Sequence, residues 1–153
     1  MGKIIIGLDP DSDKHGVAVY YDGKLEELHS LSLMGLHQLI EDNLIDIAND
    51  LNFGIEVHIE DVKANNAVFM KPQKMTQKLL GEAKARGRTL GMCQQSQTEV
   101  ERLIDIWDIK IVKHKISKMW KKDKAQFEKV TGWTGRSNED TRSAAYFGFL
   151  GLK

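Results

Sequence analysis

The sequence has a single cysteine, no long apolar run and no excess of charge of either sign. Each shortage excludes something. The lone Cys93 rules out an intramolecular disulfide framework and a CxxC-type zinc site. A reducing, cytosol-like compartment is therefore expected. No stretch approaches the roughly 20 apolar residues that a membrane span requires, so no membrane is expected among the partners. The opening MGKIIIGLDP lacks the layout of a signal peptide. There are no internal repeats, linkers or low-complexity tracts, and the five histidines show no metal-ligand spacing such as HExxH. The 153 residues amount to one domain, read here as 1–153.

Lys+Arg and Asp+Glu each total 22, but the charge is segregated along the chain. Residues 41–61 carry seven acidic side chains and no Lys or Arg. From Lys63 to Arg88 the sign reverses, with Lys63, Lys71, Lys74, Lys78, Lys84, Arg86 and Arg88 against Glu82 alone. From Lys113 to Arg136 eight basic residues stand against Asp123 and Glu128. A zero sum does not exclude nucleic acid, because a partner meets the local field. Two basic blocks suggest a phosphate-facing side and an acidic back, although each block alone reads equally well as a solvated helix face.

The apolar, β-branched run Lys3–Asp9 predicts a buried strand. Val17–Tyr21 and Leu25–Leu31 predict two more, joined at Asp22-Gly23 by a hairpin turn into an antiparallel meander. Leu36, Leu39, Ile40, Leu44, Ile47 and Leu51 have helical spacing. Ile55–Ile59 alternates and ends at Glu60, with Glu56, His58 and Glu60 on the face opposite Ile55, Val57 and Ile59. After a polar loop to Gln73, a helix is expected from about Lys74 to the Gly87 region, resuming towards Gln94, with further helical turns over 98–107. Lys110–Ile116 predicts a fifth strand, and 122–130 and 139–150 the last helices. The order βββ-α-β-α-β-α indicates an α/β fold, a five-stranded mixed sheet flanked by helices.

Asp9 ends the first strand, where open α/β sheets place ligands. Before Pro10 it also reads as a plain turn aspartate. Glu60 ends the fourth strand and is either a ligand or an exposed loop carboxylate, with Asp61 its competitor. Glu139-Asp140 opens the last helix, where Ser137 with Asp140 matches a capping box. Together, carboxylates from two strand ends and one helix start form an oxygen donor set suited to Mg²⁺ or Mn²⁺. The three tryptophans read as packing residues, with Trp120, flanked by Met119 and Lys121-Lys122, the best placed to stack on a base. His58 and His114 are not assigned a role in proton transfer.

The strings IIIGLDPDSDKHGVAVY, VHIEDV, LLGEAKARG and NEDTRSAAYFGFLG resemble, in order, the motifs of the RuvC-type Holliday-junction resolvases of the RNase H-like superfamily, in a short form similar to those carried by phages. The resemblance implies an RNase H-like fold, a homodimer, and Mg²⁺-dependent symmetric nicking of four-way DNA junctions, with Mn²⁺ as a substitute ion. It implies a cytoplasmic location, that of a bacterial host if a phage encodes the chain. By it, Asp9, Glu60 and Asp140 are the catalytic metal ligands. Where the family places a second aspartate in the last helix, this chain has Ser143. Water, Glu139 or a one-residue shift of the motif would each fill that position. Lys124 matches a lysine that contacts the scissile phosphate, and Lys113 and Lys115 match less closely. Phe69 lies where the family places a base-stacking aromatic, and Lys71, Lys74, Lys121 and Lys122 would hold the DNA backbone. Two other readings stay open: a broader flap or branched-DNA nuclease on the same site, and a junction-binding protein with weak catalysis.

Overall fold

Asp22 and Gly23 both adopt positive φ, 50° and 90°, the backbone that a two-residue hairpin turn requires. They join β2 (His15–Tyr21) to β3 (Lys24–Leu31), and β2 runs antiparallel beside β1 (Lys3–Asp9). β4 (Gly54–Glu60) lies parallel to β1 on its other side, and β5 (Lys110–His114) parallel to β4. The sheet order is β3-β2-β1-β4-β5, an open mixed sheet. The computed structural model describes residues 2–64, 77–115 and 119–152.

Period-two alternation gives each strand two different faces. Ile4, Ile6 and Leu8 of β1, Val17 and Val19 of β2, and Val57 and Ile59 of β4 are buried on one face. They pack against α1 (Leu33–Leu39), α2 (Ile45–Leu51) and the end of α3 (Gln77–Asp105), through Leu36, Ala48, Val100 and Ile104. Ile5, Ala18 and Tyr20 occupy the other face, under α4 (Lys124–Thr131) and α5 (Glu139–Leu150), through Phe127, Ala144 and Ala145.

Besides shifts of a few residues at element ends, such as β5 closing at His114 rather than Ile116, three features differ from the sequence reading. The first helix is interrupted at Ile40–Leu44 by one wider turn, in which the Ile45 N–H bonds back to the Ile40 carbonyl. That turn keeps both Ile40 and Leu44 in the core. α3 is continuous over its described length, where the glycines suggested breaks. Each glycine costs a helix about 1 kcal/mol, and the anchored end at Val100 and Ile104 offsets it. The last helix is capped by Asn138 rather than Ser137. The Asn138 side chain accepts from the Thr141 N–H at 2.8 Å, and the Thr141 hydroxyl accepts from the Asn138 N–H at 2.9 Å.

α5 lies unusually close to the sheet because glycines remove the side chains between them. A Cβ on Gly16 would fall on the Asp140 carbonyl, and one on Gly7 on the Ala144 carbonyl. A Cβ on Gly148 would strike the Tyr20 ring at 2.6 Å. Asp140, Ala144 and Gly148 are spaced by four residues, one helical face. Tyr20 then closes the seam, its hydroxyl donating to the Ala145 carbonyl at 2.6 Å.

Gly7→Ala is expected to destabilise the protein by about 1–3 kcal/mol, the range of core overpacking, because the obstruction is backbone. Gly54→Ala, with open space around the added carbon, should stay within roughly 0.5 kcal/mol. Urea unfolding of the two variants checks this, and equal midpoints would contradict it.

Candidate active site

Leu8 of β1 is in register with Ile59 of β4, so Asp9 and Glu60 follow as the next residues of two neighbouring parallel strands. Both are buried, at 4% and 9% exposure. Alternation puts both on the α5 face, with Ile5 and Gly7 in β1 and with Glu56 and His58 in β4. Asp9 also pairs with Gly16, the residue over which the Asp140 carbonyl sits. The start of α5 is thereby brought to the same end of the same face. Asp140 is half-buried and Glu139 exposed. Because Asn138 and Thr141 do the capping, the Asp140 carboxylate is not spent on it.

The turns around these strand ends are held by polar side chains. The Asp11 N–H donates to His15 Nδ1 at 3.2 Å, and Asp11 Oδ1 accepts from the Ser12 N–H at 2.7 Å, which closes the turn after Asp9. After Glu60, the Asp61 N–H donates to the His114 carbonyl at 2.8 Å. Gln97 of α3, fully buried, accepts from the Lys63 N–H at 3.0 Å and donates to Asp61 Oδ1 at 3.2 Å. Sequence reading missed Gln97, since one glutamine within the polar run Gln94–Glu99 does not announce its burial.

A second polar chain crosses the same face. His58 Nε2 donates to Glu56 Oε1 at 2.7 Å, and His58 Nδ1 accepts from His114 Nε2 at 2.8 Å. The His58 and His114 rings stack at 5.0 Å, Phe147 lies over His114 at 6.3 Å, and Gly151 abuts His58. His114 is in register with Glu60, so the chain ends beside the carboxylates. The alternation of Glu56 with His58 was visible in the sequence; the pairing with β5 was not.

The basic candidates separate. Lys113 lies on the opposite face, bound to Glu101 at 3.0 Å, and Glu101 also binds Lys63 at 3.0 Å. Lys115 is exposed just beyond β5, and Lys124 is exposed at the first position of α4. Lys122 is exposed and Lys121 half-buried in the turn before α4. Trp120 is 4% exposed and packs against Phe127, Tyr146 and Phe149 with centroids at 5.7, 5.3 and 5.1 Å. Its ring is therefore no stacking platform; the aromatic side chains of α4 and α5 outcompete solvent for it. Phe69, Lys71 and Lys74 lie outside the described residues.

Among the described residues no three His, Cys, Asp or Glu side chains converge into a group able to hold a metal ion. The three-carboxylate set expected from the sequence is thus not closed. The donors still suit a hard cation, since Mg²⁺ commonly takes one or two carboxylates and fills its shell with water and substrate oxygens. Asp9 and Glu60 supply two at adjacent strand ends. Ser143, one turn beyond Asp140, is fully buried, and its hydroxyl has no hydrogen-bond partner among the described residues.

No protein-family model matches this chain, and no curated protein matches its sequence. Its fold is similar to that of solved structures. One is the T. thermophilus RuvC in complex with Holliday junction substrate, with a TM-score of 0.52 and 8% identity, over 96% of this chain and 90% of that one. Another is the Thermus thermophilus RuvC structure, with a TM-score of 0.52 and 9% identity, over 95% and 91% of the two chains. The likeness shows the fold: an RNase H-like five-stranded mixed sheet with flanking helices.

Burial holds His15, His58 and His114 below the ordinary histidine range, against the pull of Asp11 and Glu99 on His15 and of Glu56 on His58. For His114 the neighbouring His58 adds to the effect. The unfolded chain then binds more protons than the folded one once the pH falls below the unfolded value of 6.5. Their contribution to stability is full above about pH 6.5 and is lost on acidification. The urea midpoint is expected to fall between pH 7.5 and 5.5, and to fall less in His58→Gln. A midpoint that rises on acidification would contradict the assignment.

Proposed function

We propose that this chain is a metal-dependent endonuclease of the RuvC type that cuts branched DNA, with four-way junctions as its substrate. The observation that carries the reading is the delivery of Asp9, Glu60 and the start of α5 to one end of one sheet face. The fold is shared with a protein solved on a Holliday junction. Asp9 and Glu60 would hold a divalent cation, Mg²⁺ or Mn²⁺, with Asp140 and Glu139 as further oxygen donors from α5. Such a cation supplies Lewis-acid polarisation of a phosphodiester and a more acidic water.

The remaining work falls to the chain itself. Two strand ends fix the carboxylates, so little reorganisation is needed when a substrate arrives. Lys124, exposed at the start of α4, would contact a phosphate near the scissile bond. Lys115, Lys121 and Lys122, with Lys71 and Lys74 from the other basic block, track the DNA backbone, and Phe69 stacks on a base. Lys113 serves that role only by leaving Glu101. Phosphate contacts position a duplex without reading its sequence, so selection of a junction rests on shape. Two copies of the chain in a homodimer would set the two cuts symmetrically.

Cleavage of an end-labelled four-way junction, beside a matched linear duplex and a flap, tests the reading. Paired symmetric nicks in the junction alone are expected with Mg²⁺, reduced at least about 100-fold in Asp9→Asn, the upper end of what losing even an outer-shell partner of a metal costs. Equal cutting of the flap would make it a general branched-DNA nuclease. Tight junction binding without cleavage in Mg²⁺ or Mn²⁺ would make it a binding protein.

A further inference from the structure

Arg142 is 9% exposed, and its guanidinium reaches two separate loops. Its Nε donates to the Trp120 carbonyl at 3.2 Å and its Nη2 to the Lys121 carbonyl at 2.9 Å. Its Nη1 donates to Ser137 Oγ at 3.1 Å. Among the described residues these neutral oxygens are its only partners. A buried cation with no carboxylate beside it is costly to keep, which suggests that its geometry is needed. Trp120 is fixed a second time by its ring, buried among Phe127, Tyr146 and Phe149. The short turn that presents Lys121 and Lys122 is thus anchored at both its backbone and its aromatic side chain.

The anchor belongs to the helical turn that carries Asp140. We infer that Arg142 is a positioning residue for substrate: it holds Lys121 and Lys122, and Lys124 just beyond them, at a set distance from the carboxylate end of the sheet. The phosphodiester backbone of the bound strand is then registered against the site. This rests on the nuclease reading above. A planar fork is required, because three acceptors on two loops lie beyond what the single ammonium of a lysine can satisfy in the same geometry.

The test is binding and cleavage of the four-way junction by the full chain carrying Arg142→Gln, Arg142→Lys, or Lys121→Ala with Lys122→Ala. For Arg142→Gln the apparent KM is expected to rise about tenfold, as for loss of one or two phosphate contacts, and kcat to fall much less. The slope of log affinity against log salt should shrink by about 1 to 2. Arg142→Lys should restore little. Adding Arg142→Gln to the lysine double variant should cost no further affinity, since both remove one contact set. Amide exchange over residues 119–123 should quicken in Arg142→Gln.

Full rescue by Arg142→Lys would overturn the inference, because charge alone would then suffice. So would additive losses in the combined variant. If Arg142→Gln does not fold, the lysine double variant still decides: wild-type affinity and salt slope would leave nothing for Arg142 to position. A wild type that binds no branched DNA overturns the nuclease reading and this inference together. A wild type that binds, with Arg142→Gln unaltered, overturns this inference alone.

Discussion

The contact on which the rest of the structure depends is the backbone-to-backbone seat of α5 across β1 and β2. It exists because Gly7 and Gly16 have no side chains where the Ala144 and Asp140 carbonyls pass. A seam of this kind is rigid, since protein interiors are close-packed and resist small displacements. It also sets a register. With Gly16 under Asp140 and Asp9 paired to Gly16, the helix start can occupy only one end of the sheet.

Two consequences follow for the chemistry. Carboxylates at the ends of β1 and β4 meet the N-terminal end of a helix, whose partial positive charge favours anions in its first turn. Asn138 and Thr141 take the capping bonds, so the carboxyl groups of Glu139 and Asp140 are not used as caps. The turns that follow Asp9 and Glu60 are closed by His15 and Gln97, which limits how far either strand end can move. Further along α5, Arg142 ties the loops on the α4 side to the same helix. The helix start beside the two strand ends and the turn that carries Lys121 and Lys122 are therefore joined through one element, α5.

Much of this was legible in the sequence, for identifiable reasons. β1 stands where its unbroken β-branched run placed it, from Lys3 to Asp9, because both its faces are buried. α5 begins at Glu139 and ends at Leu150 as read, bounded by a polar loop and a glycine. The alternation around Glu56, His58 and Glu60 carried through to the structure. Interactions between distant segments were not legible. Asn138 displaced Ser137 as the cap through a reciprocal bond with Thr141. Trp120, next to Lys121 and Lys122, is drawn inward by aromatic rings on α4 and α5. Gln97 and Arg142 are buried polar residues that bond to Lys63 and Asp61, and to Trp120 and Lys121, all more than twenty positions away, so no local pattern reveals them.

The central claim is that the Asp9–Glu60 end of the sheet is a cation-binding carboxylate site. Mn²⁺ binding followed by electron paramagnetic resonance on the DNA-free protein tests it without reference to any substrate. Saturable binding by the wild type, weakened at least about tenfold in both Asp9→Asn and Glu60→Gln, is the expected result. Binding that persists unchanged in either variant would contradict the claim, as would a wild type that binds no Mn²⁺.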